Sequence, residues 1–187
     1  MNGVIDIPSL QALIDAGTTV NYLMFWGHTP RSADEVDRSC LSQWYPSPFE
    51  VDGDRYATAE HYMMAAKARL FGDLATVPRI LEAATPALAK RLGREVQGYD
   101  ETLWLAQRFD IVVRGNLAKF QQTPGCGAFL AGTLDRVLVE ASPVDPIWGI
   151  GLAADDPAAG VPAQWQGLNL LGFALMQVRT QLCGTGR

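Results

Sequence analysis

The sequence predicts an α+β domain, mainly α: several helices around a small antiparallel β component, without the strict strand–helix alternation of a doubly wound sheet. Three observations carry that reading. Thr58, Thr85 ahead of Pro86, and Asp100 each have N-cap chemistry and each opens a run of helix formers. Runs rich in β-branched and aromatic residues are few and short, chiefly at 20–26 and 136–141. The chain has 187 residues, 48% of them apolar, which suits one domain with a substantial core.

In chain order, Pro8 to Ala16 is a short helix with Ser9 as its cap, and Val20 to Trp26 is a strand. Gly27 to Cys40 is a polar loop interrupted by Pro30. Leu41 to Tyr45 is expected to be extended, so that Cys40 precedes a strand. Asp52-Gly53 then marks a two-residue hairpin between 49–51 and 55–57. Thr58 caps a helix to Leu70 that Gly72 stops. Asp73 caps the next, to Ala84, which Pro78 is expected to kink or split. Pro86 to about Val96 is helical, as is the stretch from Asp100 to about Gln122. In the latter, Leu103, Trp104, Phe109, Ile111, Val112, Leu117 and Phe120 form a broad apolar stripe. Thr123-Pro124 begins a further helical piece, Arg136 to Ala141 alternates as a strand, and Leu168 to Leu182 is the last helix.

Composition narrows the function. Lys and Arg total 15 against 20 Asp and Glu, a formal charge of −5. That is a poor footprint for a protein that coats nucleic acid or an anionic membrane. Three cysteines without C-x-x-C spacing and two histidines argue against a disulfide framework or a zinc site. A reducing, cytoplasmic location fits best. Asp6 and Asp15 interrupt the early apolar run, with no basic segment before it, so a secretory leader is not expected. The uncharged run Pro157 to Val178 is long enough for a membrane span. It contains Pro162, Gln164, Gln166, Asn169 and Gln177, however, and reads as a loop followed by a buried helix.

The segment Thr58 to Leu70 holds the first chemical candidate. Helical spacing puts Glu60, Met63, Met64 and Lys67 on one face, an apolar stripe with an acid at its start. An exposed acid favoured by the helix dipole is the competing reading. The second candidate region is the Pro/Gly-rich loop Ser142 to Gly167, long enough to suggest function. Within it, Gly149-x-Gly151-x-x-Ala154 resembles a loosened dinucleotide fingerprint. Asp155 and Asp156 follow where a pyrophosphate would sit, and they would repel it. Neither a G-x-S-x-G elbow nor a Walker loop is present, and Cys40 and Cys126 have no activating neighbour in sequence. Carboxylate chemistry remains.

Several blocks, taken together, resemble the NADAR superfamily and its YbiA-like N-glycosidase branch. They are Leu41-Ser42-Gln43-Trp44-Tyr45-Pro46; Tyr56-x-x-x-Glu60-His61-Tyr62 running on to Lys67; Leu92-Gly93-Arg94; Trp104; and Ala118-Lys119-Phe120. Val139-Glu140-Ala141-Ser142-x-x-Asp145-x-x-Trp148-Gly149-Ile150-Gly151 and Trp165-x-Gly167-x-Asn169-x-Leu171-Gly172 follow, ending at Met176 and Arg179. The resemblance runs from Tyr22 to Leu182 and implies a single domain over 1–187 with its core at about 20–182. Gln43 stands where the family typically has asparagine, and Tyr62 and Met63 vary, which bears on substrate preference.

The resemblance implies a cofactor-free, metal-free hydrolase of N-ribosides. In the YbiA-like branch the implied reaction breaks the C–N bond of ribosylamino-pyrimidine phosphates, early intermediates of riboflavin synthesis. Other members resemble hydrolases that remove ADP-ribose from guanine bases. It implies Glu60 and Asp145 as catalytic acids and Trp104 and Trp148 as pocket residues, and extends the substrate-binding set to Lys67, Arg94, Gly149 and Asn169. The chemistry agrees: an oxocarbenium-like ribose needs an anion, an activated water and a protonated leaving group, work usually divided between two carboxyls. One of the two, Glu60 as the leading candidate, would stabilise the cation or activate water, with Asp145 orienting ribose hydroxyls or acting as partner acid; the sequence leaves the division of roles open. Trp104 and Trp148 would stack on a base, while Lys67, Arg94 or Arg179 would meet a phosphate. Each has a structural alternative: Asp145 as a turn residue before Pro146, Trp104 as core, Arg94 and Asn169 as helix-end residues, and His61 off the Glu60 face.

Three functions follow. The first is a hydrolase of small phosphorylated N-ribosides; the second acts on ADP-ribosylated guanine, with nucleic acid only as modified substrate. The third is a non-catalytic ADP-ribose-binding or nucleotide-binding module. Two acids in a phosphate pocket argue against the third, and the −5 charge against the second.

Overall fold

The computed structural model describes residues 3–32 and 35–184; of the polar loop after the first strand, residues 33 and 34 lie outside it. Among the described residues, seven α-helices and four short strands follow in the order α1 (Ile7–Asp15), β1 (Tyr22–Phe25), β2 (Phe49–Val51), β3 (Asp54–Tyr56), α2 (Ala59–Leu70), α3 (Thr76–Leu81), α4 (Pro86–Arg94), α5 (Glu101–Gln122), α6 (Pro124–Ala131), β4 (Val137–Glu140) and α7 (Leu170–Gly184). The mainly helical α+β architecture is the one the sequence predicts.

Caps set the helix starts. The side chains of Thr58, Thr85 and Asp100 each accept an N–H from the first turn of α2, α4 and α5. For α1 the cap is Asp6, not Ser9; Ser9 sits three residues on and returns the bond, closing a capping box. Helix α3 is shorter than expected and starts at Thr76. Pro78 therefore falls in its first turn, where a missing N–H costs nothing, and it neither kinks nor splits the helix.

The hairpin β2–β3 turns at Asp52-Gly53 and is antiparallel, with Phe49 opposite Tyr56. The other pair differs from the antiparallel expectation: β1 and β4 run parallel, Tyr22 opposite Val137 and Phe25 opposite Glu140. Helices α2 to α6 form the crossover between them, and a long crossover is what parallel pairing requires. Helix α7 lies directly on β4, because a Cβ at Gly172 would collide with the Leu138 carbonyl. No helix among the described residues is long and apolar enough to cross a membrane.

The stretch from Leu41 to Tyr45 is not a strand. Arg38–Leu41 forms a 3-10 turn capped by Asp37, and the chain then coils. The cause is Lys119 of α5, fully buried, whose Nζ donates to the carbonyls of Cys40 (2.7 Å) and Ser42 (2.9 Å). Those carbonyls are turned toward an ammonium instead of a neighbouring strand. One helical turn away, Asn116 Nδ2 donates to Gln43 Oε1 at 2.7 Å. Helix α5 thus fixes the coil that carries Gln43 and Trp44. We expect Lys119→Met to lower unfolding free energy by about 2–4 kcal/mol in chemical denaturation, since two buried carbonyls lose their partner.

Candidate active site

Parallel strands collect ligands outside their carboxyl ends. Here the ends of β1 and β4 open side by side into a cavity of about 410 Å³. Trp26 and His28 follow β1, Glu140 and Ser142 close β4, Ser42 and Trp44 come from the coil held by α5, and Glu60 and Met63 from α2. Lys90 of α4 and the Asp145–Trp148 turn complete the wall.

Glu60 lies in the first turn of α2, whose N-terminal half is buried on every side. Its backbone N–H is spent on the Gln43 carbonyl at 3.0 Å, and its side chain is only 2% exposed. The exposed-cap reading is thereby excluded. Burial pushes its pKa up to about 7 against the pull of Lys90 and a hydrogen bond from the Trp44 side chain, with Asp145 adding upward pressure. Among the described residues Oε1 has no partner.

Glu140 ends β4 in the same cavity. Burial pushes it up to about 8, helped by the charges of Asp145 and Glu60 and opposed by Lys90. Its Oε2 is buried and likewise has no protein partner. Asp145 is used at both ends: Oδ1 accepts the N–H groups of Ile147 (3.0 Å) and Trp148 (2.9 Å), and Oδ2 faces Lys90 Nζ at 3.9 Å. It is a turn residue and a wall residue at once, and the turn it makes is what aims Trp148. Lys90 also lies 6.0 Å from the Trp44 ring centre, and Trp44 packs 5.7 Å from His28. Among the described residues no three His, Cys, Asp or Glu side chains are grouped so that they could hold a metal ion.

Glu60, Asp145 and Trp148 are thus brought together. Lys67 and Trp104 are not in the cavity. Lys67 is seven residues past Glu60, about 10 Å further along the helix. Its Nζ donates to the Gly93 carbonyl at 2.8 Å and lies 4.6 and 5.6 Å from the rings of Tyr99 and Trp104. This cluster pins α2 to α4 where Gly93 leaves room for Met64. Arg94 is exposed at the end of α4 and reaches Glu60 only through its charge. Arg179 holds Thr133 and Arg136 together instead of facing the cavity.

Gly149 and Asn169 act from beneath. A Cβ at Gly149 would press on the Glu140 and Asp145 carbonyls and on Ser142, so glycine lets the loop close over β4. Asn169 is fully buried; its Nδ2 donates to the Leu138 carbonyl and its Oδ1 accepts the Glu140 N–H, both at 2.9 Å. The glycine-rich run therefore packs a loop onto a strand, and Asp156 caps a single 3-10 turn at Pro157–Gly160. His61 bonds Thr58 and the Ala83 carbonyl and points away from the cavity.

Sequence reasoning left Glu140, Lys90, Trp44 and His28 out of the site. Glu140 did carry a signal, an acid closing the otherwise apolar Val137-Leu138-Val139. Lys90 carried none, being one cation among several on an amphipathic helix.

The sequence profile of the NADAR domain matches residues 24–183. The chain belongs to the NADAR family. An N-glycosidase of Acanthamoeba polyphaga mimivirus is 41% identical over 169 residues, covering 87% of this chain and 97% of the relative. N-glycosidase YbiA of Escherichia coli K12 is 31% identical over 151 residues, 81% of this chain and 84% of YbiA. The NMR structure of E. coli YbiA superposes on this NADAR chain with a TM-score of 0.71 at 26% identity, over 90% of this chain and 88% of that one. The chloroplastic riboflavin biosynthesis protein PYRR of maize is 35% identical over 150 residues, 73% of this chain and 22% of PYRR.

Proposed function

We propose that this NADAR domain is an N-glycosidase that hydrolyses a ribosylamino-pyrimidine phosphate, adding water at ribose C1 to release ribose 5-phosphate and the aminopyrimidine. The observation that carries the proposal is the buried Glu60 carboxyl, its Oε1 without a protein partner among the described residues, in an aromatic-walled cavity. A carboxylate in that position faces no competing protein donor across Oε1 and is free to meet a cation that develops only in the transition state. Trp44 and Trp148 supply flat apolar walls for a base, and Asp145 Oδ2 and Ser142 lie where ribose hydroxyls can be held. Lys90 is the cation among the lining residues and gives the phosphate its side of the cavity. The curated relatives named as N-glycosidases support the reaction class, and the maize relative named for riboflavin biosynthesis supports the pyrimidine substrate.

The test is a product assay on the purified domain, with Glu60→Gln as control. Ribose 5-phosphate released from a ribosylamino-pyrimidine phosphate, and not by the variant, is the expected result. Release of ADP-ribose from guanine-ADP-ribosylated DNA, with the pyrimidine substrate untouched, would overturn the small-molecule assignment. Binding of either without turnover would overturn hydrolysis itself.

A further inference from the structure

We propose that Glu140 is the proton donor to the leaving nitrogen, a second catalytic residue that works opposite an ionised Glu60; this rests on the N-glycosidase reading above. The leaving group of a ribosylamine is an amine nitrogen, and an amide-like anion is too basic to depart unprotonated. One acid must therefore reach that nitrogen while another carboxylate faces the ribose cation. Asp145 is poorly placed for the donor's part, because Oδ1 is committed to two backbone N–H groups and Oδ2 is turned to Lys90. Glu140 has none of these commitments. Its Oε2 is buried and unpartnered, and the residue lines the cavity at the carboxyl end of the parallel pair.

Its backbone is held unusually well. The N–H goes to Asn169 Oδ1, and the carbonyl accepts from Ile150 at 2.9 Å and from Ser142 at 2.9 Å. Those bonds leave the carboxyl as the one part of the residue not committed to the fold. The charged groups that face it are Asp145 from the following loop, Glu60 from α2 and Lys90 from α4, while His28 lines the same cavity from the segment after β1. Two carboxylates set against one ammonium favour retention of a proton. Burial and the neighbouring acids push both carboxyls up, Glu140 to about 8 and Glu60 to about 7, so the pair shares a proton near neutrality, and the unpartnered Oε2 of Glu140 is the atom that can pass it to the leaving nitrogen.

The step balances without any further reagent. The Glu140 proton passes to the leaving nitrogen, the C1–N bond breaks with its electron pair on nitrogen, and the neutral amine departs. Water adds to C1 of the ribose cation held against Glu60, and the proton it sheds returns to the acid pair, restoring Glu140 to its protonated form.

The experiment compares Glu140→Gln and Glu60→Gln with the wild type on two substrates: the ribosylamino-pyrimidine phosphate, and a 4-nitrophenyl riboside 5-phosphate whose phenolate leaves without a proton. The expected result is a loss of about 10²–10⁴-fold in kcat for Glu140→Gln on the amine substrate and less than about 10-fold on the nitrophenyl one. Glu60→Gln loses on both. The wild type itself gives a variant-free readout: activity should decline at alkaline pH on the amine substrate and not on the nitrophenyl one. Equal losses on both substrates, or an alkaline decline shared by both, would overturn the donor role while leaving N-glycosidase activity in place. A wild type inert on both substrates would overturn the hydrolase reading, and the role of Glu140 with it.

Discussion

Glu60→Gln is expected to remove catalysis and stabilise the protein in the same stroke. Turnover should fall by about 10²–10⁴-fold, the usual contribution of a positioned acid or base. Stability should move the other way because the wild-type carboxyl is buried. Its native pKa, about 7, lies above the unfolded value of 4.5, so from pH 4.5 to 7 the native state holds a proton that the unfolded chain has released. The group's contribution is therefore fully present below about pH 4.5 and lost as pH climbs to 7. Glutamine loses nothing on that path. At one pKa unit per 1.36 kcal/mol, the variant should gain about 3 kcal/mol over wild type at pH 8 and nothing at pH 4. For a domain of this size that is roughly 6–12 °C in Tm. Thermal melts at the two pH values measure it, and a variant that melts earlier than wild type at pH 8 would show that the carboxylate is better accommodated than its burial implies. Such a gain is the familiar exchange of stability for function.

Asn169→Ala should be the most damaging single change outside the cavity. The side chain satisfies the Leu138 carbonyl and the Glu140 N–H of β4, and alanine leaves both buried and unpaired, at about 1–3 kcal/mol each. Asn169 also has φ 52°, a left-handed conformation that asparagine tolerates and alanine resists, for a further 1 kcal/mol or so. The sum is about 3–7 kcal/mol, a Tm lower by at least about 6 °C. Asn169→Asp keeps the acceptor and loses the donor, and should fall between. Denaturant titration of the three proteins decides it: an alanine variant within 0.5 kcal/mol of wild type would mean that the two backbone groups find other partners.

What could be read from the sequence was what local chemistry writes. Thr58, Thr85-Pro86 and Asp100 announce three helices, Asp52-Gly53 announces the hairpin, and Asp145 ahead of Pro146 offers a turn. What could not be read depends on residues far away. The coil at Gln43-Trp44 follows from Lys119 on a helix that comes much later, against an aromatic pattern that looks extended. The parallel pairing of β1 with β4 is a property of the helical crossover, not of either strand. Lys67 misled for a simpler reason: helical spacing aligns it with Glu60 but says nothing of the length of helix between them. Glu140 was legible in part, as an acid at the end of an apolar strand, but only the fold shows which way that strand end opens.

The pairing of β1 with β4 has a kinetic consequence. Residues Tyr22 and Val137 meet only after the chain between them has been drawn together, so this contact carries the largest loop-closure entropy of any in the sheets. The helices of the crossover can gain structure from local contacts first. Glu60, on one of those helices, would be in place early, and Glu140 would join it only when the strand docks. Hydrogen exchange during refolding should accordingly protect α2 and α5 ahead of β4, with catalytic competence returning on the slower of the two timescales.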